Sequence, residues 1–215
     1  MNPERLAYWY FRLNGFMTIE DFVVHPDRGK LQRTDADILA VRFMHREENA
    51  VNPMIDDSKV SQCETLINVI IAEVKKNRCD LNGPWTDPNK ANMERVLRSI
   101  GCIPLDIIDG VSHILYNRGF WFNDHVTIRL FAIGESVNNE LPISVEQQLT
   151  WAEVITFCHQ RFNRYRKQKS SVGIWASDGI CLQRLAERRE PDVAGIRHLF
   201  GLYTSDAPEL GRTLA

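Results

Sequence analysis

The chain has no apolar run approaching the roughly 20 residues that a membrane-spanning helix requires, which excludes a transmembrane segment. Its opening, MNPERLAYWYFRLNGF, lacks the basic start, apolar centre and small-residue cleavage site of a secretory signal, so an intracellular, cytoplasmic protein is expected. Five cysteines (Cys63, Cys79, Cys102, Cys158 and Cys181) are scattered without a CxxC pair, and the six histidines form no HExxH or zinc-finger spacing. That pattern favours reduced, mostly buried thiols and gives no support to a structural zinc or a cysteine nucleophile. GxxxxGK[ST], GxGxxG and GxSxG are also missing, which removes the motif-bearing P-loop, Rossmann and serine-hydrolase classes. No repeat, low-complexity tract or Ser/Gly/Pro linker divides the chain.

What is present fits one α/β domain over residues 1–215, long enough for one good core and short for two. The net charge of −2 does not mark a nucleic-acid binder, but the charge is unevenly spread. Arg161, Arg164, Arg166, Lys167 and Lys169 lie close together, with Arg184, Arg188 and Arg189 after them; Arg28, Lys30 and Arg33 form a smaller group. Local clusters of this kind can bind phosphates on a nearly neutral protein, and they can equally be solvated helix faces.

Along the chain, residues 3–14 read as a helix apolar on most sides, hence buried, and ended by Asn14-Gly15. Strands are expected over FMTIEDFVV (16–24) and DADILAVRF (35–43), separated by the turn-rich HPDRGK. A polar stretch over 44–64 reads as a long loop with room for a short helix, and TLINVIIAEVK (65–75) resumes the sheet. Its β-branched run Val69-Ile70-Ile71-Ala72 is what a central strand covered on both faces would carry. A helix from about Asn89 places Met93, Val96, Leu97 and Ile100 on one side and stops at Gly101. VSHILYNRGF is ambiguous between helix and strand, and HVTIRLFAIG (125–134) reads as a strand. Thr150 and Glu153 form a capping box that opens a helix to about Lys169, and two short helices follow at 180–189 and 193–203.

Ionisable residues stand where core strands ordinarily carry none. Side chains two apart on a strand share a face, so Glu73 pairs with Lys75 and Asp35 with Asp37. If the two strands are neighbours, Asp37 and Glu73 approach each other at one edge of the sheet. Two close carboxylates repel unless positive charge lies between them. A hard divalent cation, Mg²⁺ or Mn²⁺, answers that and lowers the pKa of a coordinated water. A lysine alongside can hold the attacking water or offset charge that builds on phosphorus.

Asp37 followed by ILAV, then IIAEVK, resembles the PD-(D/E)XK nuclease superfamily, the restriction-endonuclease and resolvase fold. The resemblance covers about residues 3–101 and implies a restriction-endonuclease-like mixed β-sheet flanked by helices, with residues 102–215 adding a final strand and extra C-terminal helices. It also implies Asp37, Glu73 and Lys75 as catalytic residues, the two acids as Mg²⁺ or Mn²⁺ ligands, and DNA, more than RNA, as substrate. The proline that often precedes the first acid is replaced by TDAD, and the segment between the strands is longer than in compact resolvases.

Glu4, on the first helix, is either a further metal-site acid or a helix-dipole partner, and Asp35 either assists the metal or shapes the turn. Asn82 and Trp85 of LNGPWT follow the active strand closely enough to touch substrate, and Trp85 fits packing as well. Arg161, Arg164 and Lys167 are the expected DNA-backbone contacts. The competing reading keeps the fold without turnover: a DNA-binding or protein-interaction subunit of a larger complex, or a homo-oligomer.

Overall fold

The computed structural model describes residues 1–25, 34–170 and 175–202. The group Arg28, Lys30 and Arg33, most of HPDRGK, and the end of the last expected helix lie outside them.

Asn2 accepts a hydrogen bond from Arg5 N at 3.2 Å and caps α1 (Pro3–Leu13), where Pro3 opens the first turn without losing a needed donor. Gly15 then takes a φ of 80°, a left-handed conformation that glycine adopts without Cβ strain, and turns the chain into β1 (Met17–Val24). β2 (Thr34–Phe43) and β3 (Ile67–Val74) follow, separated by the long polar segment, whose only regular piece is the single-turn α2 (Ser58–Ser61). Another single turn, α3 (Gly83–Thr86), precedes α4 (Asn92–Ile100), which Gly101 ends at φ 70°.

VSHILYNRGF splits: α5 (Ile108–Arg118) runs to Gly119, at φ 68°, and β4 (Phe120–Phe122) starts directly after it. β5 (Val126–Gly134) and the short β6 (Gln148–Thr150) complete the sheet. The Thr150–Glu153 capping box opens α6 (Trp151–Arg164). The helix expected to reach Lys169 breaks at Tyr165 and resumes as α7 (Arg166–Ser170); α8 (Ser177–Ala186) and α9 (Val193–Leu199) follow.

The mixed six-stranded sheet has the order β1-β2-β3-β5-β4, with β6 joining β4 on the outer edge of β5. β1, β2 and β3 are antiparallel in turn, and β5 is parallel to β3. β3 is buried along almost its whole length because helices cover both faces of the sheet there. On one face α1, α6, α8 and α9 pack against Ile38, Ile70, Ala72 and Phe131; on the other α4 and α5 pack against Leu39, Val69, Ile71 and Leu130. No helix among the described residues is long and apolar enough to cross a membrane. All five cysteines are free, with Cys79 and Cys158 buried and the others partly so.

One rung of the β1–β2 ladder is skipped. Glu20 pairs with Ile38 and Phe22 with Ala36, leaving Asp21 (φ 49°) and Asp37 out of the pairing. An aspartate tolerates this left-handed backbone better than most residues. Past the irregularity the alternation of β2 shifts: Ala36 packs in the same layer as Leu39, and Ile38 in the opposite one. The simple alternation that sets Asp35 and Asp37 on one face is therefore interrupted between them.

Candidate functional site

The β2–β3 ladder ends with Ile38 opposite Ala72. One step further the same antiparallel register sets Asp37 across from Glu73, where the two strands part. Asp37 supplies the missing ladder acceptor with its side chain: Oδ2 accepts a hydrogen bond from Val74 N at 2.7 Å. The carboxylate thus ties the end of β3 to the irregular point of β2, which fixes where Asp37 sits.

Glu73 is 1% exposed and its carboxylate is held from three directions. Lys75 Nζ donates to Oε1 at 2.6 Å, Asn82 Nδ2 donates to the same oxygen, and Trp85 Nε1 donates to Oε2 at 2.8 Å. Lys75 Nζ also donates to Asn82 Oδ1 at 2.9 Å, closing a small ring of Glu73, Lys75 and Asn82. A buried carboxylate demands such partners, because desolvating it unpaired costs several kcal/mol (about 3–5 when one partner is removed). The backbone of Lys75 is fixed as well, donating to Ile133 O at 2.8 Å and accepting from Trp151 Nε1 at 3.1 Å. Its side chain remains 29% exposed, so the ammonium group faces both Glu73 and the solvent.

Asp37 is the group this arrangement leaves unbalanced. Burial first, then the charge of Glu73, raises its pKa from 3.8 to about 7, against the Val74 N–H and Lys75, which pull it down. Glu4 adds the smallest upward push, so the first turn of α1 lies near enough for its charge to be felt at Asp37. Asp35 lies on β2 opposite Val23, on the far side of the irregularity.

The oxygen donors of Asp37 and Glu73 suit a hard cation. Among the described residues no group of three or more His, Cys, Asp or Glu side chains is arranged to hold a metal. Two carboxylates with waters and a substrate phosphate suffice for Mg²⁺, which keeps much of its hydration. Asp37 and Glu73 are the two side chains that would hold such an ion, with the remaining positions left to water or substrate. The donor set does not fit a site enclosed wholly by protein.

The loop residues Asn82 and Trp85 act through Glu73 in this structure, and Trp85 is also packed in the core against Met93 and Leu97. The signal for them was their place immediately after the strand that carries Glu73.

The basic helix departs from expectation. Arg161 is fully buried, bonded to Asp56 at 2.6 Å and to Glu48, so it cannot serve as a surface phosphate contact. Its position on the stripe Val154, Cys158, Phe162 and Tyr165 turns it inward. Arg42 and Arg46 also bond Asp56, each at 2.7 Å, and Lys169 bonds Glu48. Arg164 and Lys167 are exposed, and Arg164 reaches back to Asn52.

Compared with protein-family models, curated proteins and solved structures, the chain finds no match.

Proposed function

We propose that the chain is a divalent-metal-dependent nuclease that hydrolyses phosphodiester bonds, with DNA as the favoured substrate, on a restriction-endonuclease-like fold. One observation carries the reading: the register brings Asp37 across from Glu73 at the parting of β2 and β3, with Lys75 bonded to Glu73. An initial helix, three antiparallel strands and a later strand parallel to the third are in keeping with it.

Asp37 and Glu73 would hold Mg²⁺ or Mn²⁺, which when bound supplies a polarised phosphate oxygen and a more acidic water. Lys75, with its ammonium part-exposed and oriented by Glu73 and Asn82, positions the attacking water and offsets charge developing on phosphorus. Trp85 and Asn82 hold Glu73 in place by donating to both of its oxygens. Arg164 and Lys167 stay available for the DNA backbone.

The test is cleavage of labelled duplex and single-stranded DNA in Mg²⁺ and Mn²⁺ by the full chain and by Glu73→Gln and Lys75→Ala. Cleavage by the wild type alone is expected; cleavage that survives in both variants removes the reading. A non-catalytic DNA-binding or protein-interaction module on the same fold is favoured by one feature, the occupation of both Glu73 oxygens by side-chain donors. A protein that neither binds Mn²⁺ nor cuts any strand would belong to that second class.

A further inference from the structure

On the face of the sheet opposite Glu73, a cavity of about 620 Å³ opens beside the β4–β5 edge, within the size range of small-molecule sites. Lys59, Arg118 and Arg129 line it, against one carboxylate, Glu146, and Phe120, Ser144 and Gln62 complete much of the wall. Lys59 is neutralised by Glu153 at 2.6 Å. The other two cations are not matched in this way.

Arg129 stands on β5 between Ile70 of β3 and Phe120 of β4 and is half-buried. Every acceptor it meets is neutral: Lys59 O at 2.8 Å, Val60 O and Asn68 Oδ1 at 3.2 Å. Its Nε is buried without an acceptor among the described residues. Phe131 lies 5.3 Å from the guanidinium carbon, a contact that softens the charge and does not cancel it. Burial pulls its pKa below the ordinary guanidinium value, a sign of desolvation that no carboxylate offsets. Arg118, at the C-terminal end of α5, is exposed and has no ion pair among the described residues. The Phe120 ring, 41% exposed, stands across the β4–β5 ladder from Arg129.

A burial-weakened cation, a free cation and an open aromatic face around one cavity match a phosphate joined to a flat base. We propose that this cavity binds a nucleotide unit, its phosphate against Arg118 and Arg129 and its base against Phe120. Guanidinium groups are suited to phosphate geometry, and aromatic faces accept any base by stacking. The unit is either a free nucleotide or one residue of a single strand. This site lies apart from Asp37 and Glu73 and does not rest on the nuclease reading; binding is measured in EDTA, where no metal-dependent turnover occurs.

The full chain is titrated calorimetrically with deoxyadenosine, inorganic phosphate, deoxyadenosine monophosphate and a four-residue oligodeoxyadenylate. The monophosphate or the oligonucleotide is expected to bind about tenfold or more tightly than inorganic phosphate, and the nucleoside not measurably. Binding of the oligonucleotide alone identifies a strand as the source; binding of both identifies a free nucleotide. Arg118→Glu should weaken binding by about tenfold or more, and Phe120→Ala should weaken the nucleotide while sparing inorganic phosphate. Both substitutions fall on exposed side chains, and unchanged thermal melts verify the fold where Arg129→Met could loosen it. Nucleotide affinity no greater than that for inorganic phosphate, or affinity unchanged in both variants, overturns the proposal.

Discussion

The molecule buries two clusters of charge, and burial has opposite outcomes in them. Around Arg161, two acids (Glu48 and Asp56) meet four cations: Arg42, Arg46, Arg161 and Lys169. Burial alone would raise the pKa of Glu48, yet the hydrogen bond from Lys169 and the charges of Lys169, Arg161 and Arg46 bring it below the ordinary value. At the end of the sheet, burial raises Asp37 and the neighbouring Glu73 raises it further, with only Lys75 and one N–H in opposition. In the first cluster both acids are engaged by several cations of the chain, and positive charge is in excess. In the second, two acids share one lysine at the end of the sheet, an excess of the opposite sign.

The largest way to break this comparison is chemical. Asp37→Ala should abolish Mg²⁺-dependent DNA cleavage, by a factor on the order of 10³ or more, while far-ultraviolet circular dichroism stays unchanged. Full activity in that variant would put Asp37 in the same structural class as Asp56. Next in size, Asp56→Ala leaves the buried guanidiniums of Arg42 and Arg161 short of an acceptor and should cost about 3–5 kcal/mol in denaturant unfolding. A loss under about 1 kcal/mol would mean that the network is held by packing alone.

Metal should act on one cluster only. Mg²⁺ at a hundred times its dissociation constant should stabilise the wild type by about 2.7 kcal/mol, and Asp37→Ala should lose this gain. The pH dependence separates the two clusters further. An acid whose folded pKa is raised keeps its proton in the native state after the unfolded chain has released it. Asp37 therefore favours folding most at acid pH, and its contribution falls as pH rises toward about 7. Glu48, with its folded pKa lowered, contributes above the unfolded value and loses this as pH falls through the folded one. In EDTA, Asp37→Asn should remove the decline in stability toward pH 7, and urea midpoints at a series of pH values measure it. The smallest effect is expected at the surface: Arg164→Ala should change stability by less than about 0.5 kcal/mol while weakening DNA binding in a salt-dependent way.

Much of the site was legible because it depends on local patterns. Asp37 heads one apolar strand and Glu73-x-Lys75 ends another, so neighbouring antiparallel strands suffice to bring them level. The skipped rung at Asp21 and Asp37 was not legible, since no residue pattern specifies a lost pair between otherwise regular strands. Arg161 was misread as surface although Val154, Cys158, Phe162 and Tyr165 mark the buried stripe it shares. Its charge hid the pattern, because the acids that compensate it, Glu48 and Asp56, come from a polar segment more than a hundred residues earlier in the chain. VSHILYNRGF could not be divided from periodicity alone: the division rests on Gly119, which ends α5 and lets Phe120 enter the sheet.

By itself the sequence determined most of the longer helices and strands, their apolar faces and the strand ends at which acids and lysine stand, because side-chain period and capping chemistry act over a few residues. Only the tertiary structure decided which buried acids meet several cations of the chain and which meet a single one. That balance depends on groups distant in sequence meeting in a medium where water no longer screens them, and no local pattern encodes such a meeting.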